Sequence, residues 1–346
     1  MRRSIVTGSL CFVFACGGGS DNPPGTPDAP GPPSDAPPLI GEKFSLEFGP
    51  LSIPPSEEGT KCIWLRLDNE TPIKVRQLHN VLSSSSHHLI VYKDDMDTTE
   101  QTTPVDCQPF TGALNPTGMI APIMITQKAD DALTLPDGVA YTLDANQMIK
   151  IEMHYLNATD ATQEARATVE FYRADESTIQ HEADILFIGS PDIDIPAGET
   201  KTLKQFFKVP SYLDLSSSNI FAITGHTHQY GTDMQVRVAP SKTGPMTSVY
   251  APQPFSWSEP ETTDHAPGFS VPAGGGFEFE CTYHNTGTLP VGFGESADDE
   301  MCFFWAYYYP SQGSKVCVHT EQYGGADGLN VCCPGDSLCA LIEDQF

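Results

Sequence analysis

From Lys43 onward the chain runs in short segments of alternating apolar and polar residues, each ended by Pro, Gly or an Asx turn. A side-chain period of two over four to eight residues is the pattern of a half-buried strand, and no long run has helical periodicity. Cys62–Leu67, Leu89–Lys93, Gln147–Tyr155, Ala167–Tyr172, Asp233–Val238, Phe277–Tyr283 and Phe303–Tyr309 read as strands. The 30 prolines and 29 glycines supply turns between them. The pattern predicts an all-β fold of sandwich or jelly-roll type. A composition shift around Ala174–Glu182 divides it into two β domains of similar size, residues 42–178 and 179–312. Residues 313–346, with four cysteines and the turn Pro334-Gly335-Asp336, read as a disulfide-rich extension.

The N-terminus reads as an export signal. Arg2 and Arg3 precede a short apolar stretch from Ile5 to Ala15, too short to span a bilayer as a helix. Val13-Phe14-Ala15-Cys16 resembles a bacterial lipobox, which makes residues 1–15 a signal peptide and Cys16 a lipidation site. An ordinary secretory signal with an incidental cysteine is the alternative. Residues 16–41 carry the anchor and a Pro/Gly-rich tether that cannot bury apolar surface. Gly17 is not the Asp of an inner-membrane retention signal, so the expectation is an outer-membrane-anchored lipoprotein facing the periplasm or exterior. Setting aside Cys11 and Cys16, eight cysteines remain, an even number that suits disulfides in an oxidising compartment. The formal charge of −27 repels phosphate backbones, so nucleic acid is excluded as a partner.

Candidate chemistry rests on histidines. His226 and His228 stand two apart, which on a strand puts both imidazoles on one face at a separation one metal needs; two exposed histidines are the alternative. His154 falls on the face of its segment opposite Ile149, Ile151, Met153 and Tyr155, either as a surface residue or as a ligand with partners from a neighbouring strand. Adjacent His87 and His88 point to opposite faces of a regular strand and reach one metal only if the backbone bends there. Met301, between three acids and Cys302, is either core filler or a soft ligand of the kind that favours Cu(I). The acidic run Asp298–Glu300 lacks the pattern of a calcium loop. Neither a G-x-S-x-G nor a Walker-type motif occurs.

In this order, His87-His88, Met153-His154-Tyr155, His226-Thr227-His228, Cys281-Thr282-Tyr283 and Asp299-Glu300-Met301-Cys302 resemble the copper type II, ascorbate-dependent monooxygenases, the family of peptidylglycine α-hydroxylating monooxygenase and dopamine β-monooxygenase. The resemblance covers most of residues 42–312. It implies two tandem jelly-roll domains facing each other across a solvent-filled cleft, and two copper ions per chain. His87, His88 and His154 would hold the electron-transfer copper; His226, His228 and Met301 would hold the oxygen-activating copper and form the catalytic site. The reaction implied is hydroxylation of an sp³ C–H bond of a small-molecule substrate by O2, with electrons from ascorbate or another external reductant. Cys62–Cys107 and Cys281–Cys302 disulfides are implied as well. No cysteine in Lys201–Lys208 can receive the family's inter-strand bond, which leaves Cys317 to pair within the tail.

The sequence departs from the family at the substrate. Where the peptide-amidating branch has Arg, Asn and Tyr to hold a carboxylate, this chain has Thr224, Phe303 and Trp305. No residue matches the amine contact of the other branch. A non-catalytic copper-binding or copper-buffering lipoprotein on the same fold is the main rival, and a zinc hydrolase using three histidines is a remoter one that leaves Met301 idle.

Overall fold

Alternation alone buries one face of a strand, and this chain has to cover both faces of several. The computed structural model describes residues 41–109, 119–325 and 328–339. The signal segment, Cys16 and most of the tether lie outside the described residues, so the expectations about export and lipidation are not addressed there.

The fold is all-β. Residues 43–182 form two sheets. One runs in the order Lys43–Ile53, Gln163–Arg173, Ile73–Leu82, Val139–Leu143, His181–Glu182, with Asp130–Thr134 also paired to Ile73–Leu82. The other runs Gln101–Asp106, Glu58–Arg66, Met148–Leu156, Ser86–Asp94, Ile120–Thr126. Residues 184–333 supply a six-stranded sheet, ordered Thr262–Phe269, Asn219–His226, Phe303–Tyr309, Asp184–Gly189, Lys315–Thr320, Leu329–Cys333, and a four-stranded sheet ordered Thr200–Lys208, Gly276–His284, Gly231–Ala239, Thr247–Tyr250. Each segment read as a strand from its alternation coincides with one of these strands to within a few residues at either end.

The part of the chain read as a disulfide-rich extension is built into the second set of sheets. Lys315–Thr320 pairs in parallel with Asp184–Gly189, and Leu329–Cys333 pairs antiparallel with Lys315–Thr320. The alternation of Lys315-Val316-Cys317-Val318 explains this placement. Val316, Val318 and Val331 enter one apolar cluster, while Cys317 and Cys332 enter the other and are joined directly across the two strands. Cys333–Cys339 closes a short loop beyond them. Cys62–Cys107 and Cys281–Cys302 are both formed.

The solvent-filled cleft implied by the resemblance is not what the structure contains. One apolar cluster runs from the first pair of sheets through Ile90, Ile123 and Ile125 to Phe187, Phe221, Phe303, Trp305 and Tyr307 on the outer face of the six-stranded sheet. These aromatics are nearly all removed from water, at roughly 1.5–3 kcal/mol for a large apolar side chain. A surface carrying five such side chains on one sheet face has no stable exposure to water. Tyr307 adds a polar tie: its hydroxyl accepts from the Ile125 N–H at 3.1 Å and donates to the Ile125 carbonyl at 3.4 Å. Ser314 Oγ donates to the Pro122 carbonyl at 3.3 Å, and Lys128 pairs with Glu261 at 3.1 Å.

Replacing Tyr307 with Phe keeps the apolar contact and leaves the buried Ile125 N–H without its partner, which should destabilise the protein by about 1–3 kcal/mol. Urea unfolding of Tyr307→Phe beside the parent measures this; equal midpoints would show that the tie contributes nothing.

Candidate metal centre

Strand pairing brings the first three histidines together. Met148–Leu156 lies antiparallel to Ser86–Asp94 with His88 directly opposite His154. The register shifts between Ser86, opposite Tyr155, and His88, so His87 is an extra residue with no partner across the ladder. A bulge of this kind re-aims a side chain, and it supplies the bend that two adjacent histidines need to serve one site. The ring centroids of His88 and His154 are 4.9 Å apart, those of His87 and His154 5.4 Å, and those of His87 and His88 5.5 Å. One ring nitrogen from each of the three lies within 4.8 Å of the others.

Two of these rings, His87 and His88, are in the ligand form. Burial, reinforced by the neighbouring imidazoles, holds His87 down to about 3 and His88 well below its ordinary value. Neutral imidazole is what a metal binds. His87 Nε2 and His88 Nδ1 are buried without a hydrogen-bond partner. Each orphan costs about 1–3 kcal/mol, which a coordinated cation would relieve. His154 Nε2 is bonded to Glu58 Oε1 at 2.9 Å, leaving Nδ1 as its free nitrogen. Hydrogen bonding of one ring nitrogen to a carboxylate orients a ligand imidazole and makes its other nitrogen more basic. The surface alternative for His154 does not hold: Lys150, Glu152 and His154 are all buried, Lys150 over the Trp64 and Tyr92 rings and Glu152 bonded to the Tyr92 hydroxyl.

His226 ends strand Asn219–His226, and His228 follows in the turn just beyond it, so the H-x-H lies at a strand end and not along a strand face. Their centroids are 5.1 Å apart. His226 Nδ1 donates to Gln127 Oε1 at 2.9 Å, and His228 Nδ1 donates to the Asp299 carbonyl at 3.2 Å. With Nδ1 carrying the proton, Nε2 of both rings keeps its lone pair. Burial lowers His226 well below its ordinary value and His228 to about 4. Met301 is 2% exposed and lines one small cavity together with His226 and His88. Its backbone is held by Tyr283, whose hydroxyl donates to the Met301 carbonyl at 2.8 Å, and by the adjoining Cys281–Cys302 bond.

The two histidine sets adjoin: His88 and His226 have centroids 6.1 Å apart. The cavity between them holds about 10 Å³, room for roughly one water, and is walled by Ile90, Ile125, Phe187 and Trp305. Glu295 also faces it, its carboxyl pushed up to about 7 by burial and by the charge of Glu152. The three-histidine group, and the thioether of Met301 on the same small cavity as His226, offer donors that suit copper over hard cations.

Several residues that shape the site escape a reading of the sequence. Glu300 belongs to an acidic run that looks like a solvated loop, yet it is fully buried. Its carboxylate accepts from the N–H groups of His228 at 2.9 Å, Tyr230 at 2.7 Å and Met301 at 3.3 Å, tying both ends of the second ligand set together. Burial pushes it up to about 7 even though those N–H groups pull the other way. Gln127 and Glu58 come from the first pair of sheets and carry no motif. Adjacency to Met301 is the one sequence signal that could have singled out Glu300. Of the substrate-position residues, Trp305 lines the cavity, Phe303 stacks on Phe187 at 5.0 Å, and Thr224 is bonded to Thr262 at 2.8 Å.

Residues 181–325 match the family model described as copper type II ascorbate-dependent monooxygenase, C-terminal domain. This match contains His226, His228 and Met301 and supports that family, and with it copper, for the chain. Among solved structures, infectious bursal disease virus Gx strain is similar at 9% identity and a TM-score of 0.18, over 81% of this chain and 80% of that one. The tandem CBM22 domains of Xyn10C from Paenibacillus barcinonensis are similar at 9% identity and a TM-score of 0.15, over 80% and 93%. Overlaps this loose say nothing further about the chain.

The buried imidazoles set a pH dependence for the metal-free protein. Their native values lie below the 6.5 of an unfolded histidine, so the unfolded chain takes up protons that the native state refuses. The stability they contribute is complete above about 6.5 and is lost as pH falls toward 3–4, on the order of 1–2 kcal/mol for each imidazole by pH 5. Thermal unfolding between pH 7 and 5 should show the midpoint falling, and less steeply in a His88→Asn, His226→Asn variant; parallel profiles would contradict the assignment.

Proposed function

We propose that the chain is a copper monooxygenase that hydroxylates an sp³ C–H bond of a small molecule with O2 and electrons from an external reductant. The observation that carries this is the pair of adjoining donor sets. His87, His88 and His154 meet across a strand bulge; within the segment that matches the monooxygenase C-terminal domain, His226 and His228 have centroids 5.1 Å apart and Met301 lines a cavity with His226. The first set fits a copper ion, because His87 Nε2 and His88 Nδ1 are buried without partners, and at the second His226 and His228 are held neutral by burial beside the Met301 cavity. When bound, copper would supply the one-electron chemistry that activates O2.

The chain's own residues supply the rest. Gln127 and the Asp299 carbonyl hold the His226 and His228 rings with Nε2 turned to the site, so that little reorganisation accompanies metal capture. Met301 gives a weak, soft thioether beside them, which favours Cu(I) and leaves coordination positions open. Ile90, Ile125, Phe187 and Trp305 give the space between the sets an apolar wall. That space, about 10 Å³, holds no organic substrate, and the larger pocket of about 220 Å³ lined by His87 and Gln127 is the nearest room for one. Trp305 and Phe303 at the positions where the peptide branch binds a carboxylate, Glu295 facing the cavity and a formal charge of −27 all disfavour an anionic substrate.

The small cavity also favours a second reading, a copper store on the same fold with no room for turnover. Oxygen uptake with ascorbate and a library of neutral and cationic substrates separates the two. The enzyme consumes O2 in step with hydroxylated product, and Met301→Ile abolishes that consumption while about one copper stays bound. Turnover that survives Met301→Ile would remove Met301 from the oxygen site. We further propose export and anchoring through lipidated Cys16, a reading the four disulfides support.

A further inference from the structure

Glu58 opens strand Glu58–Arg66, two residues before Thr60, which sits directly opposite His154. Side chains two apart share a strand face, so Glu58 is the diagonal neighbour of His154 across the ladder. Its Oε1 accepts from His154 Nε2 at 2.9 Å and also from the Ala297 N–H at 2.8 Å, while Oε2 accepts from Ser296 Oγ at 3.2 Å. One carboxylate thus joins a ligand of the first donor set to a loop 238 and 239 residues away.

That loop builds the second donor set. Asp299 N–H donates to the Ser296 carbonyl at 2.9 Å, closing a turn whose Asp299 carbonyl holds His228 Nδ1. The Ala297 carbonyl accepts from Gln229 Nε2 at 2.9 Å, gripping the chain next to His228. After Asp299 come Glu300, which binds the His228 and Tyr230 N–H groups, and Met301 itself. Displacing Ser296 and Ala297 therefore moves the support of both His228 and Met301.

We propose that Glu58 is a positioning residue for the methionine site, acting through the Ser296–Ala297 turn, in addition to orienting His154. This rests on the copper reading above. A role confined to His154 makes a different prediction, because Glu58 would then matter only to the three-histidine site. A carboxylate shared by the two sets makes the geometry of each depend on the other, so that closing the halves and organising the methionine site are one event.

The test uses the full chain carrying His87→Ala and His88→Ala, in which copper has only the methionine site. Cu(I) affinity is measured by competition with a chromogenic Cu(I) chelator, and the copper–sulfur contribution by X-ray absorption. Adding Glu58→Ala should weaken Cu(I) binding about 10-fold or more, the scale of outer-shell supports, and reduce the copper–sulfur contribution. Glu58→Gln, whose amide oxygen can still accept from Ala297, should recover most of the affinity. Ser296→Ala, which trims the contact without touching Glu58, should cost a few-fold and serves if Glu58→Ala does not fold. Unchanged affinity in Glu58→Ala, or in Ser296→Ala where that variant stands in, overturns the inference alone. A parent that binds no Cu(I) through sulfur overturns it together with the copper reading.

Discussion

An imidazole taken out of water stays neutral, and a group of them packed ring against ring stays neutral more firmly, since the first proton to arrive meets every neighbour. Four histidines are held in this state, His87, His88, His226 and His228, with His154 packed among them. Much else in the structure serves to tolerate them. Glu58, Gln127 and the Asp299 carbonyl satisfy one nitrogen on three of the rings. His87 Nε2 and His88 Nδ1 remain without partners, and a cation held by the three histidines would discharge that cost. Met301 lines the cavity with His226, and a thioether there would favour a soft metal.

Closure follows from the same constraint. Histidines at the end of strand Asn219–His226 reach those on Ser86–Asp94 only because Phe187, Trp305 and Tyr307 press against Ile123 and Ile125 behind them. The apolar contact brings the rings together, and the polar ties set their orientation. Glu300 has the hardest task, since its carboxylate is buried and still has to organise a turn from its N–H groups. The space between His88 and His226 is small, while His87 lines a larger pocket of about 220 Å³.

Much of this was legible in the sequence. The period of two gave the strands, and the order of the histidine, cysteine and methionine motifs pointed to a family whose C-terminal domain model matches residues 181–325. Which histidines meet was legible only through that resemblance. The bulge at His87 leaves no trace in composition, because it arises from register with Met148–Leu156. His154 looked half-exposed because alternation describes one strand and not what covers its second face. The strands Lys315–Thr320 and Leu329–Cys333 were hidden by their cysteines, which read as a stapled tail when the valines beside them were already alternating. Glu58 and Gln127 were invisible for a different reason. Each works through a contact far away in sequence, and neither carries a motif.

The central claim is that two copper sites of different donor type adjoin in one chain. X-ray absorption at the metal edge, with metal analysis of the same purified protein, tests it most directly. The account predicts two coppers per chain, with nitrogen ligands at both and sulfur scattering from one in the reduced state. Zinc in place of copper, or two coppers with no sulfur ligand, would contradict it.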